Sequence, residues 1–216
     1  MYRVKFFLIG VLMSHGLLAQ SVLVGGKLGV SFPTNLGPSG ERFGFKDLSK
    51  PGMQAAIMAK WFYNERLSLG ADFGYQYQGS SDVWDVGDRG DIDVSYQTLR
   101  LLLNGTYYFS DDVLRPYLGM SFGAYYLVNT MDYQSDDLSN PSTAYTTRQW
   151  KPGVAPQLGF LYALSRIVWL DCHIQFDLIQ DTKPSVVYIP GYGNAAQNSH
   201  KSQNQFSVNV GLLIDL

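Results

Sequence analysis

The sequence predicts an all-β protein: an eight-stranded antiparallel transmembrane β-barrel, wound as an up-and-down meander with short periplasmic turns and long extracellular loops. Three features carry that prediction. Apolar and polar residues alternate with period two along about eight segments, the side-chain period of a strand. The connections between those segments alternate between tight turns and long polar loops. A short stretch, basic and then apolar, at the start of the chain reads as an export signal. Composition agrees, since only 16% of the 216 residues are charged, against roughly 25% in an ordinary soluble domain. A formal charge of −2 offers no cationic field for phosphates, which argues against nucleic acid as a partner.

Residues 1–19 form the expected signal peptide, and residues 20–216 the barrel. Arg3 and Lys5 precede an apolar stretch at 6–13 that is well short of the roughly 20 residues of a spanning helix. Cleavage falls after Ala19, with the bond between Gln20 and Ser21 as a rival site. The signal carries two bases and no acid, so its loss moves the formal charge from −2 to −4. Cys172 is the sole cysteine, which leaves neither an intramolecular disulfide nor an N-terminal lipid anchor. With only His173 and His200 left in the mature chain, a Cys-rich zinc site is not expected either.

The strands follow in order. Residues 22–32 set Lys27, Gly29 and Ser31 on the polar face. In 53–61, Met53, Ala55, Ile57, Ala59 and Trp61 oppose Gln54 and Lys60. In 67–78, Leu67, Leu69, Ala71, Phe73, Tyr75 and Tyr77 alternate with Ser68, Gly70, Asp72, Gly74, Gln76 and Gln78. Leu99, Leu101, Leu103 and Tyr107 face away from Arg100, Asn104 and Thr106. Leu118, Met120, Phe122 and Tyr126 face away from Gly119, Ser121 and Gly123. Leu158, Phe160 and Tyr162 oppose Gln157 and Gly159, and Val168 to Leu178 alternates against Asp171, His173, Gln175 and Asp177. The last strand, 206–216, repeats the pattern. Turns are expected at 63–66, 110–115 and 163–166, and loops at 33–51, 79–93, 130–149 and 181–204.

Alternation alone does not say which face is outside. Here the polar face is dominated by Gly and small residues while the apolar face carries the bulk, which suits a narrow barrel in lipid better than a soluble lipocalin-like carrier. Aromatics collect near the strand ends: Trp61, Tyr63, Tyr107, Phe109, Tyr117, Tyr162 and Trp169 toward the turns, and Tyr75, Tyr77, Tyr96, Tyr126 and Trp150 toward the loops. Two interfacial girdles are expected from them.

The phrases YQTLRLLL at 96–103 and RPYLGMSFGAYY at 115–126, with the signal ending LLAQ at 17–20, resemble the outer-membrane β-barrel domain family, the porin-family or PorT-like small outer-membrane proteins. Arg100 stands where that family usually has Pro, and Leu216 where it often ends in Phe. The resemblance implies an integral outer-membrane barrel, inserted by the barrel-assembly machinery, and points toward protein secretion. It supplies no catalytic residue.

The inward register collects Lys27, Lys60, Asp72, Arg100, Asp171, His173 and Asp177. Buried charges must pair, so a salt-bridged plug is expected rather than a water-filled channel. His173 near Asp171, with Ser68, Ser121 and Ser207 also inward, raises the idea of a hydrolase; a satisfied structural histidine is the expected reading. The loop GSSDVWDVGDRGDID gathers Asp82, Trp84, Asp85, Asp88, Arg89, Asp91 and Asp93. Clustered carboxylates suit calcium, but the spacing fits no EF-hand and solvated loop charge is the expected reading. With Tyr133, Asp136, Asp137 and Tyr192 they make a candidate surface-contact set. No enzyme signature or cofactor motif stands out. The expected role is structural, surface-interactive or accessory to envelope machinery, in contact with outer-membrane lipid and an envelope protein partner, with a narrow small-solute pore and a lipid A modifying enzyme as alternatives.

Overall fold

In the computed structural model, residues 21–34, 49–79, 84–85, 91–134, 143–179, 185–189, 193–198 and 203–216 are described. Eight long strands make the barrel: β1 (Val22–Pro33), β2 (Gly52–Asn64), β3 (Leu67–Gln78), β4 (Asp91–Tyr108), β5 (Leu114–Gln134), β6 (Thr143–Ala163), β7 (Val168–Ile179) and β8 (Gln205–Asp215). Each pairs antiparallel with its chain neighbour where a hairpin joins them, β3 pairs with β4, and β1 pairs with β8 to close the sheet. The tight turns rest on short polar side chains. Asn64 Oδ1 accepts from the N–H of Arg66 and Leu67 at 2.9 and 2.8 Å, and Ser165 Oγ accepts from Val168 N–H at 3.1 Å.

Stagger fixes the barrel's size. Following ladder partners from Val30 leads through Val208, Ile174, Leu158, Leu118, Tyr107 and Leu67 to Asn64 on β2. Val30's own partner on β2 is Met53, so the path climbs from position 53 to position 64, with one residue absorbed by the bulge between Phe62 and Asn64. For eight strands that stagger gives a tilt of about 40° and a backbone radius of about 8 Å, which side chains fill.

Burial alternates as the sequence predicts, with the polar residues inside. Leu28, Met53 and Leu158 are 70%, 75% and 60% exposed, whereas Lys27, Lys60 and Arg100 are at most 5% exposed. A barrel in water has the opposite arrangement, so the soluble-carrier alternative loses its physical basis. Outside, Trp61, Tyr63, Tyr107, Phe109 and Tyr162 ring the turn end, while Tyr75, Tyr77 and Trp150 mark the loop end. Twelve residues separate Tyr162 from Trp150 on β6; at the barrel's tilt that is about 30 Å, the thickness of a hydrocarbon core.

Two expectations need correction. Tyr96 and Tyr117 do not belong to the girdles: both are buried inside, and Trp169 packs against the inner cluster at the turn end. The loops expected at 79–93 and 130–149 are also partly strand. β4 begins at Asp91, where a two-residue strand, Trp84–Asp85, pairs with it, and β5 and β6 pair continuously to Tyr133 and Thr143. Asp, Gln and Thr are frequent in this overhang, so it reads as loop, yet Thr is also a strand former. Thr130 and Thr146 meet across it with their hydroxyls 3.4 Å apart. Within 181–204, Ser185–Ile189 and Gly193–Asn198 form a separate two-stranded hairpin.

Candidate functional site

The lumen is organised in layers from the turn end upward. At the bottom, Leu23, Met58, Phe62, Tyr108, Tyr117, Leu161 and Leu213 form one buried cluster. The Phe62 and Tyr108 rings stack at 5.2 Å, and Tyr117 meets Tyr108 edge-on at 5.4 Å. Below it, the Arg115 guanidinium lies 4.8 Å from the Trp169 ring and 5.9 Å from that of Phe62, and all three line a depression at the turn end. An apolar layer therefore closes this end.

Above it lies the charge layer. Lys60 of β2 pairs with Asp171 of β7, whose other oxygen accepts from Tyr117 Oη at 2.6 Å and lies 3.0 Å from His173 Nδ1. Lys27 of β1 pairs with Asp72 of β3 and stands 3.5 Å from His173 Nε2. An ammonium only donates, so Nε2 accepts from Lys27 and the ring proton sits on Nδ1, directed at Asp171. Arg100 of β4 bridges Asp72 at 3.5 Å and Asp177 at 3.3 Å. Asp177 is further held by Tyr125 Oη at 2.8 Å and Gln175 Nε2 at 2.7 Å. Three cations thus meet three carboxylates among the described lumen residues, all at most 5% exposed.

Amides form the next layer. Gln76 and Gln205 exchange side-chain hydrogen bonds at 2.6 and 2.7 Å, Gln54 donates to Asn209, and Gln78 reaches Ser31 at 3.3 Å. Large side chains fit because glycines face them. A Cβ on Gly153 would lie 2.7 Å from the Tyr125 ring, and one on Gly74 would lie 2.9 Å from Arg100 Nε. With Gln157 of β6, whose Nε2 donates to Thr106 Oγ1 at 3.5 Å, these buried polar side chains draw on every barrel strand.

All seven lumen residues singled out from the sequence therefore meet in one connected network. Tyr117, Tyr125 and the Gln76–Gln205 pair belong to it as well. Tyr117 and Tyr125 share the phase of Gly119, Ser121 and Gly123, so the period that placed those three inside also places the tyrosines. The surface set is described only in part. Asp82, Asp88, Arg89, Asp136, Asp137 and Tyr192 lie outside the described residues, so the calcium reading of the 79–93 loop falls there too. Trp84, Asp85, Asp91 and Tyr133 are placed by backbone only, on the strand pairs at the loop end.

Both ring nitrogens of His173 are engaged, by Asp171 and Lys27, while Ser68 meets Tyr108 Oη at 3.4 Å and Ser207 meets the Gln175 carbonyl at 3.5 Å. Neither serine contacts the imidazole, as a hydrolase triad would require.

No family model and no curated protein matches the chain. Several solved structures do resemble it. Neisserial surface protein A superposes with a TM-score of 0.51 at 16% identity, over 92% of this chain and 99% of that one. The outer membrane protein OprG from Pseudomonas aeruginosa gives 0.51 at 15% identity, over 92% and 96%. A major outer membrane protein from Thermus thermophilus gives 0.50 at 15%, over 90% and 99%. With its inverted faces, aromatic belts and filled lumen, the chain has the fold of the eight-stranded outer-membrane β-barrels.

Proposed function

We propose that the chain is exported by its signal peptide, inserted into the outer membrane by the barrel-assembly machinery, and acts there without enzymatic chemistry as a display scaffold in contact with envelope proteins. The lumen carries this reading: an apolar layer and a charge-balanced network fill it, while β4, β5 and β6 continue past the loop-end aromatic belt. Such a barrel presents a surface rather than a conduit. The resemblance of 96–103 and 115–126 to PorT-like proteins favours an accessory role in a secretion machine. A narrow pore requires several buried ion pairs to open together, and a lipid A modifying site requires a reactive group at the membrane face or rim, where the engaged His173 does not lie.

The test is a crosslinked pull-down of the tagged protein from outer membranes in mild detergent, with heat-dependent gel mobility checked on the same sample. Stoichiometric envelope partners on a barrel that shifts on boiling are the expected result. A heat-shifting barrel recovered alone would contradict the accessory role.

A further inference from the structure

We propose that the β7-facing edge of the β6 overhang, from Ala144 to Trp150, is a docking edge for an extended segment of a partner protein that carries an acidic side chain. The inference deepens the display reading and rests on it. Two backbone bonds fix the phase of β6. Ala163 N–H donates to Val113 C=O on the β5 side at 2.9 Å, and Leu164 N–H donates to Val168 C=O on the β7 side at 2.9 Å. Odd-numbered residues of β6 therefore bond to β5, and even-numbered ones aim their N–H and C=O groups at β7.

The β6–β7 ladder reaches Gly153 opposite Ile179, where β7 ends. Pro152, the next even-numbered residue, has no N–H to continue it. Above Pro152, the backbone groups of Trp150, Arg148, Thr146 and Ala144 face the same side, and no described strand pairs with them there. The other edge of these residues is fully laddered to β5. The Ser185–Ile189 and Gly193–Asn198 hairpin forms its own sheet. Ala144 to Trp150 contains neither Pro nor Lys, the usual guards of an open edge.

The barrel's geometry selects the occupant. Two copies in one membrane share an orientation, so their β6 edges run in the same sense, and with each strand tilted by about 40° they cross at about 80° and cannot form a ladder. A separate extended segment has no such constraint and can add antiparallel to β6, collinear with β7. Its outward side chains would lie beside Ala144, Thr146, Arg148 and Trp150, all exposed, with Trp150 66% exposed. A carboxylate opposite Arg148 and an apolar residue beside Trp150 complete the match.

The experiment uses the full-length barrel in detergent micelles and, as probe, a short fluorescent peptide of alternating Thr and Val with one central Glu, followed by anisotropy. Thr146→Pro removes one edge N–H and leaves the β5 ladder intact, which heat-dependent mobility verifies. Arg148→Glu reverses the charge. Expected are saturable binding to the wild type, weakening of about tenfold or more with Thr146→Pro and with a peptide N-methylated on alternate amides, and preference for a Lys-bearing peptide in Arg148→Glu. Absence of wild-type binding, or equal binding of the N-methylated peptide, would overturn the proposal, and the peptide control decides even if Thr146→Pro misfolds. The same Thr146→Pro barrel in the envelope pull-down separates the two readings. Partners retained by a variant that no longer binds peptide would leave the display role standing and remove the edge from it, whereas a wild type that binds peptide yet captures no partner would count against the display role alone.

Discussion

Asp171 receives Lys60, Tyr117 and His173 at once, so its removal leaves a buried ammonium without its counter-charge. Asp171→Leu is expected to destabilise the folded barrel by about 3–5 kcal/mol, and Lys60→Met combined with Asp171→Leu to recover most of that loss. Urea unfolding in detergent, read by the gel-mobility shift, checks both; a double variant as weak as the single one would mean the pair is not the source of the cost. Gly153→Val tests packing at the same scale. A Cβ there already falls 2.7 Å from the Tyr125 ring, which anchors Asp177, so a lower unfolding midpoint is expected, while Gly79→Ala, which meets nothing within 4 Å, should be silent. The charged members of this network were legible in the sequence because an ionised side chain on a period-two face has few places to go. The tyrosines were less so: an aromatic near a strand end suits a girdle as well as a lumen, and only strict phase separates Tyr117 from Tyr162.

At the scale of a strand, β3 offers the sharpest contrast between faces. Phe73 points outward near mid-strand, 50% exposed, and Gln76 points inward at 2%. Phe73→Arg is expected to cost about 2–4 kcal/mol in lipid and to impair insertion, whereas Gln76→Ala should insert normally, losing only its exchange with Gln205, about 1–2 kcal/mol. Folding yield into vesicles measures the difference, and equal yields would contradict the assignment of Phe73 to the lipid face. Strand existence was readable wherever one face had to meet lipid, because alternation is then compulsory. Past the aromatic belt that constraint ends, which is why the overhangs of β4, β5 and β6 looked like loop. Pro152 and Pro156 obscured β6 further. Both are even-numbered and direct their missing N–H toward β7, so the β5 ladder passes through them intact.

For the whole molecule, a closed lumen and a lipid-facing exterior make separate demands. Planar bilayers containing folded protein are expected to show no stepwise single-channel conductance, since the turn-end cluster and the ion pairs occupy the cross-section; regular conductance steps would restore the pore. The inverted architecture itself is tested most directly at Cys172, the chain's one cysteine, which lies on the outer face between the inward Asp171 and His173 and pairs with Phe160 and Val210. A nitroxide attached there, with the protein refolded into lipid vesicles, should collide readily with oxygen and poorly with a water-soluble nickel chelate, as a label in hydrocarbon does. Ready access of nickel with little of oxygen would place Cys172 against water and contradict a barrel whose apolar face meets lipid.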